Sequence, residues 1–344
     1  MRNYEGVRLK LAKEFSGFTD SDRKFRDTFR GEDQATTAHK YYQPWEIRKI
    51  RLQLLGLSDE KQKKIPPVIN FRMAKGGTGK TTVAGNAAAC LAQFGHKVLL
   101  IDGDPQGSLS KMFGVDISKE ITHVGTLMHR AAKGDPIKAS ESIVPIYDKG
   151  MLDLIPADIT LANADSWLIS ALGREYTFTR LLEKEIDFFS NYEVIIIDSA
   201  PASSLLTQSF MVACKTLLAV VNPEPESVKA LEVLKSNIVE INSSLSGQRN
   251  FDLDMHIIVN KFNQTKKPHQ ESLQYIVDEY RDKINDTIVR DFVGFLRQTD
   301  LFDDANSGPV LEREPGSVGA RDIIDVTKSL IKFYNIPLSA QKAL

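Results

Sequence analysis

The sequence predicts an α/β fold, a mostly parallel twisted sheet with helices on both faces, plus a small helical N-terminal region. Three observations carry this. A glycine-rich run, Lys75-Gly76-Gly77-Thr78-Gly79-Lys80-Thr81-Thr82, stands between a short apolar strand and a helix rich in Ala and Leu. From Val68 onward apolar runs alternate with helical stretches, the pattern of a parallel sheet covered on both sides. Pro66-Pro67 breaks the chain just ahead of the first of those runs.

That break divides the chain into an N-terminal extension, residues 1–64, and a sheet-bearing domain, residues 65–344. Residues 7–40 are charged and sparse in apolar positions, with one weakly periodic stretch over 7–15. Pro44, suited to a first helical turn, opens a better helix. Trp45, Ile47, Ile50, Leu52 and Leu55 give it an apolar side, Arg48, Lys49 and Arg51 a basic one, and Gly56 is expected to end it. In the second part, residues 67–71 read as the first strand. Further strands are expected at 97–101, 151–155, 194–197, 216–221 and 255–259, with helices at 177–189, 227–241 and 270–280.

With 344 residues and 42% hydrophobic content, the chain can bury one large core and a smaller appendage. A net charge of −1 means that any nucleic-acid binding must come from a local patch rather than a global field. Cys90 and Cys214 stand alone in apolar surroundings, without CxxC spacing, and read as small core residues of a reduced protein. No apolar run reaches the ~18 residues that span a bilayer, and residues 1–5 lack a signal-peptide core, so a soluble, cytosolic protein is expected.

Strand, glycine-rich turn and helix together let backbone N–H groups wrap a phosphate at a helix N-terminus. Gly76, Gly77 and Gly79 leave room for that approach. Lys80 would contact the β- and γ-phosphates, and the Thr81 hydroxyl would ligate Mg²⁺. The strand at 97–101 runs into Asp102-Gly103-Asp104-Pro105-Gln106-Gly107, placing two carboxylates where the γ-phosphate and metal would lie. Residues 194–197 run into Asp198, a buried strand ending in an acid that would hold Mg²⁺ through water.

The general P-loop pattern wants Gly six positions before its lysine; here Ala74 stands there, followed by a second lysine, Lys75. This is a deviant Walker A box, and it resembles the ParA/MinD family of P-loop ATPases. The resemblance covers residues 65 to about 335 and implies an ATPase using ATP and Mg²⁺. It implies an ATP-sandwich homodimer in which Lys75 crosses to the partner's nucleotide. Asp104 matches the acid that orients the attacking water, and Asp102 is read as a contact to the metal or its water. Ser199-Ala200-Pro201 stands where the family usually has a CysProPro-like turn, a mild departure. Asn260, ending the strand at 255–259, matches a residue that reads the adenine edge; Asn263 breaks the GTPase pattern Asn-Lys-x-Asp.

The segments 295–297, 305–310 and 315–320 are similar to the family's C-terminal block. There, arginines bind non-specific DNA through phosphates, a task that needs only a cationic patch. Arg297 is the best positional match, with Arg290, Arg281, Lys266 and Lys267 as neighbours. No cysteine stands where a nitrogenase-reductase-like cluster would need one. Pro337 interrupts the basic amphipathic terminal helix of a MinD-like membrane protein, and the tyrosine cluster of the kinase relatives is missing. The ParA branch implies an ATPase that partitions plasmids or chromosomes, stimulated by a centromere-binding ParB-like adaptor, nucleoid-associated in a bacterial cytoplasm and off the membrane. Positioning of a protein cargo by the same cycle, and a MinD-like division regulator, stay open as alternatives. The extension looks faintly like a helix-turn-helix for operator DNA, or else is a dimerisation or partner-contact arm.

Overall fold

The computed structural model describes residues 4–29, 41–247, 251–299, 307–338 and 341–342. Residues 305 and 306 of the 305–310 segment lie outside them. The central sheet has seven strands: β1 (Val68–Arg72), β2 (Val98–Gly103), β3 (Val144–Tyr147), β4 (Leu152–Ile155), β5 (Val194–Ser199), β6 (Thr216–Val221) and β7 (Asp254–Val259). Their order is β7-β6-β1-β5-β2-β4-β3. All neighbours are parallel except β3, which runs antiparallel to β4 at the edge. Alternate residues face opposite layers: Leu99 and Ile101 pack into one core, Val98 and Leu100 into the other. Burial on both faces explains why these strands read as continuous apolar runs instead of alternating ones. β3 was missed because four residues containing Pro145 carry too little pattern.

Six helices frame the account: α1 (Leu9–Ser16), α2 (Asp22–Thr28), α3 (Pro44–Leu55), α4 (Lys80–Gln93), α5 (Pro225–Leu245) and α6 (Val318–Phe333). α4 is buried along nearly its whole length. Its alanines let it lie between the sheet and α6, which packs against it. Cys90 and Cys214 are both buried free thiols.

The N-terminal extension joins the domain. Phe15, Phe25, Tyr42 and Ile47 share one cluster with Cys90 and Phe94 from the α4 end and with Ile323 and Ile324 of α6. α3 begins at Pro44 and ends on Gly56 at φ 62°, as its sequence predicts. Its basic side is a different matter. Arg48 is 3% exposed, with Nη1 3.0 Å from Glu193 Oε2 and Nη2 2.7 Å from Asp59 Oδ1. Arg51 Nη1 donates to the Phe94 carbonyl at 2.6 Å. Of the three cations expected on a free face, Lys49 alone is exposed. The other two lie inward because the Glu193 carboxylate, itself fully buried beside β5, needs a cation.

Candidate nucleotide site

The carboxyl ends of β1, β2, β5 and β7 converge on one edge of the sheet, and each carries a residue singled out in the sequence. β1 leads into the glycine loop. Gly77 and Gly79 take φ of 76° and 87°, a backbone that L side chains rarely adopt, and Gly79 caps α4. A Cβ at Gly79 would stand 2.3 Å from the Asn260 amide nitrogen. Gly76 and Gly77 are exposed, Thr78 is buried, and Thr81 and Thr82 are half-buried at the first turn of α4. Gly77, Gly79, Thr81 and Thr82, with Lys111 and Lys261, border a cleft of about 400 Å³.

Lys80 points inward and is 7% exposed. Burial holds its ammonium below the ordinary lysine range, with the charge of Asp198 working against that. Asp198 is 1% exposed, and both its carboxylate oxygens are buried without a hydrogen-bond partner. Burial pushes its pKa up to about 6; the nearby Thr81 hydroxyl, outside direct bonding geometry, and Lys80 offset part of the rise. An orphaned buried carboxylate facing the helix that carries Thr81 fits a divalent cation held by oxygen ligands.

Asp102 lies directly across the sheet from Asp198 in register. Its pKa is pushed up to about 7, by burial first and then by the Asp198 charge. Both of its oxygens are already engaged. Oδ1 accepts from the Asp104 amide at 3.2 Å, and Oδ2 accepts from the Ser110 amide at 2.9 Å and the Ser110 hydroxyl at 2.7 Å. The structure thus gives Asp102 the work of holding the 104–110 loop, where a metal contact was expected. Asp104 is half-buried, its charge reaches both Lys80 and Asp198, and its Oδ1 accepts from the Gln106 amide at 3.0 Å.

Asn260 is 2% exposed, and its amide nitrogen donates to the Thr78 carbonyl at 2.8 Å. Beside it Lys261, at φ 55°, donates from Nζ to the Gly77 carbonyl at 2.8 Å. Together they brace the glycine loop from β7, a support that the adenine reading of Asn260 did not foresee.

Lys75 is 31% exposed at the front of the loop, and its Nζ lies 2.9 Å from Glu226 Oε2 on the same chain. The expected DNA residues divide. Arg290, though 53% exposed, is tied to Asp322 through Nε at 3.0 Å and Nη2 at 2.5 Å, so its charge is already paired within the chain. Lys267 pairs with Glu271 at 3.4 Å. Lys266 and Arg297 are exposed.

Three residues that matter here had no distinct signal: Arg72 at the end of β1, Ser110, and Lys261. The Asn260-Lys261 pair came nearest to one, through its partial match to the GTPase pattern.

A profile of the family described as AAA domain matches residues 67–254, more than half of the chain. The cell division protein PomZ of Myxococcus xanthus is 29% identical over 284 residues, 82% of each chain. The virulence plasmid ParA family protein pGP5-D of Chlamydia trachomatis is 29% identical over 273 residues, 77% of this chain and 94% of its own. Among solved structures, the ATP complex of Cyanothece McdA(D38A) superposes with a TM-score of 0.64 at 18% identity, over 80% of this chain and 98% of its own, which shows a shared fold. This chain belongs to the AAA-domain family, as a ParA/MinD-type P-loop ATPase of the partition and positioning group.

Proposed function

We propose that the chain is a partition ATPase that closes into a homodimer on ATP, with Lys75 of each copy reaching the phosphates held by the other. The observation that carries this reading is the position of Lys75. It stands at the exposed front of the loop, outside the inward set of Lys80, Thr81 and Asp198. A lysine there can leave its own surface, whereas Lys80 cannot.

Thr81 and Asp198 would hold Mg²⁺, which neutralises phosphate charge when bound. Lys80 supplies a fixed buried cation under the phosphates, and the Gly77–Gly79 amides line their cradle. Asp104, whose charge reaches Lys80 and Asp198, would orient the attacking water. Asn260 keeps the loop in shape, and a contact to adenine would fall to its remaining amide oxygen.

Non-specific DNA is the proposed track, bound through phosphates by Arg297 and Lys266, with Lys267 beside them. A ParB-like centromere-binding adaptor is the proposed stimulator, and the bacterial nucleoid the proposed location. Operator DNA stays a further candidate partner of the extension; Arg48 and Arg51, held by the domain, would not contact it, whereas exposed Lys49 could. No helix among the described residues is long and apolar enough to cross a membrane. Positioning of a protein cargo would use the same cycle with a different adaptor; the likeness to PomZ, a cell division protein, favours keeping it as the second reading.

The test is ATP turnover measured alone, with DNA, and with DNA plus the product of the adjacent gene. Turnover raised by both together supports partition. Turnover indifferent to DNA contradicts the reading.

A further inference from the structure

We propose that Arg72 is a positioning residue for hydrolysis: its guanidinium fastens the loop that leaves Asp198 and so fixes the carboxylate assigned to the metal. The inference rests on the ATPase reading of the site.

Arg72 is the last residue of β1, beside β5, and is 1% exposed. Nη1 donates to the carbonyls of Ala200 and Pro201, both at 2.8 Å, and to that of Met73 at 3.1 Å. Nη2 donates to the Ala202 carbonyl and to the Ser203 hydroxyl, both at 3.2 Å. Three consecutive carbonyls of the 200–203 loop are thereby gathered on one side chain. Nε is buried without a partner. No carboxylate of the described residues forms an ion pair with it.

A buried cation without a counter-anion is costly, and a purely structural tie could have used a neutral donor. Burial pushes the guanidinium pKa down to about 10, which still leaves it charged at neutral pH. Its charge also reaches Lys80, whose pKa it helps to lower. The cation therefore belongs to the phosphate-binding region electrostatically and to the Asp198 loop mechanically. Only the planar fork of arginine reaches these acceptors together; the single ammonium of lysine cannot.

Arg72→Lys keeps the charge and loses the fork, and Arg72→Gln keeps two donors and loses the charge. Two readouts decide. In the nucleotide-free protein, hydrogen exchange of peptides covering 199–206 should speed up roughly tenfold or more in either variant, with α4 peptides unchanged. In turnover, kcat should fall about tenfold or more while KM for ATP stays within about twofold. Wild-type exchange and wild-type kcat in whichever variant folds would overturn the proposal. So would exchange that rises throughout the protein with ATP affinity lost in proportion. Wild-type turnover in the same assay tests the ATPase reading separately.

Discussion

Lys75 and Glu226 form an ion pair at 2.9 Å within one chain, joining the front of the glycine loop to the first turn of α5. The lysine holds the Glu226 carboxyl below its usual range, through a direct hydrogen bond and its charge. Glu226 is 82% exposed, and exposed pairs bind weakly. In the proposed dimer, the pair is a parking place for Lys75 that a partner's phosphates would outcompete. Glu226→Ala should let the ATP-dependent dimer form at lower protein concentration, by less than about fivefold. Sedimentation with a non-hydrolysable ATP analogue reads this; a weaker dimer would contradict it.

Asp198 and Asp102 have native pKa values of about 6 and about 7, above the ordinary carboxylate value near 3.9. Between about pH 4 and 7 the native state therefore binds more protons than the unfolded chain, so this pair's contribution to stability falls as pH rises. The pair should favour the folded, nucleotide-free protein more at pH 5.5 than at pH 8, against buried His96, His123 and His256, whose lowered pKa values act the other way. Asp198→Asn should shrink that difference. Calorimetry across this range is the check, and an unchanged slope in the variant would contradict it. Because a metal needs ionised Asp198, the extra stabilisation that Mg²⁺ gives to bound nucleotide should fade below about pH 6.

Gly79→Ala places a methyl group against the Asn260 amide and strains a left-handed backbone. Both effects act on the loop, so nucleotide affinity should fall by at least about tenfold. Asn260→Ala removes the hydrogen bond to Thr78 without that clash and should cost less, about 1 kcal/mol of stability. Equilibrium binding of a fluorescent ATP analogue separates the two; equal losses would contradict the bracing role.

Arg48→Ala would take the guanidinium from the buried Glu193 carboxylate, leaving it the Lys97 amide at 3.1 Å and His96. Breaking a buried pair in this way costs about 3–5 kcal/mol. The melting temperature should drop in a single transition, because α3 shares its core with α4 and α6. A separate early transition of the extension, with the remainder unchanged, would contradict that integration.

Much of this was legible in advance. Strands buried on both faces announce themselves as unbroken apolar runs, and Gly77 and Gly79 are demanded by a left-handed backbone. The acids at 102, 104 and 198 fall at strand ends, where chain direction alone aims them at the loop. What was not legible depends on tertiary pairing. Arg48 and Arg51 read as a basic face because nothing local reveals the buried Glu193 145 residues away from Arg48. The pairing of Arg290 with Asp322 carried no sequence signal, because Asp322 reaches it only through the fold. Arg72, at the end of an apolar strand, is defined by carbonyls that carry no sequence signature.

The central claim is that Lys75 acts on the nucleotide of the opposite copy, and mixing two inactive variants tests it most directly. Lys75→Ala lacks the lysine proposed to cross, and Asp104→Ala lacks the acid proposed to orient water. In a mixed dimer, one site receives Lys75 from the Asp104→Ala copy and keeps its own Asp104. Turnover should return to about a quarter of wild type, with half of the dimers mixed and one of two sites complete in each. A mixture no more active than its two components would show that both groups must come from the same chain.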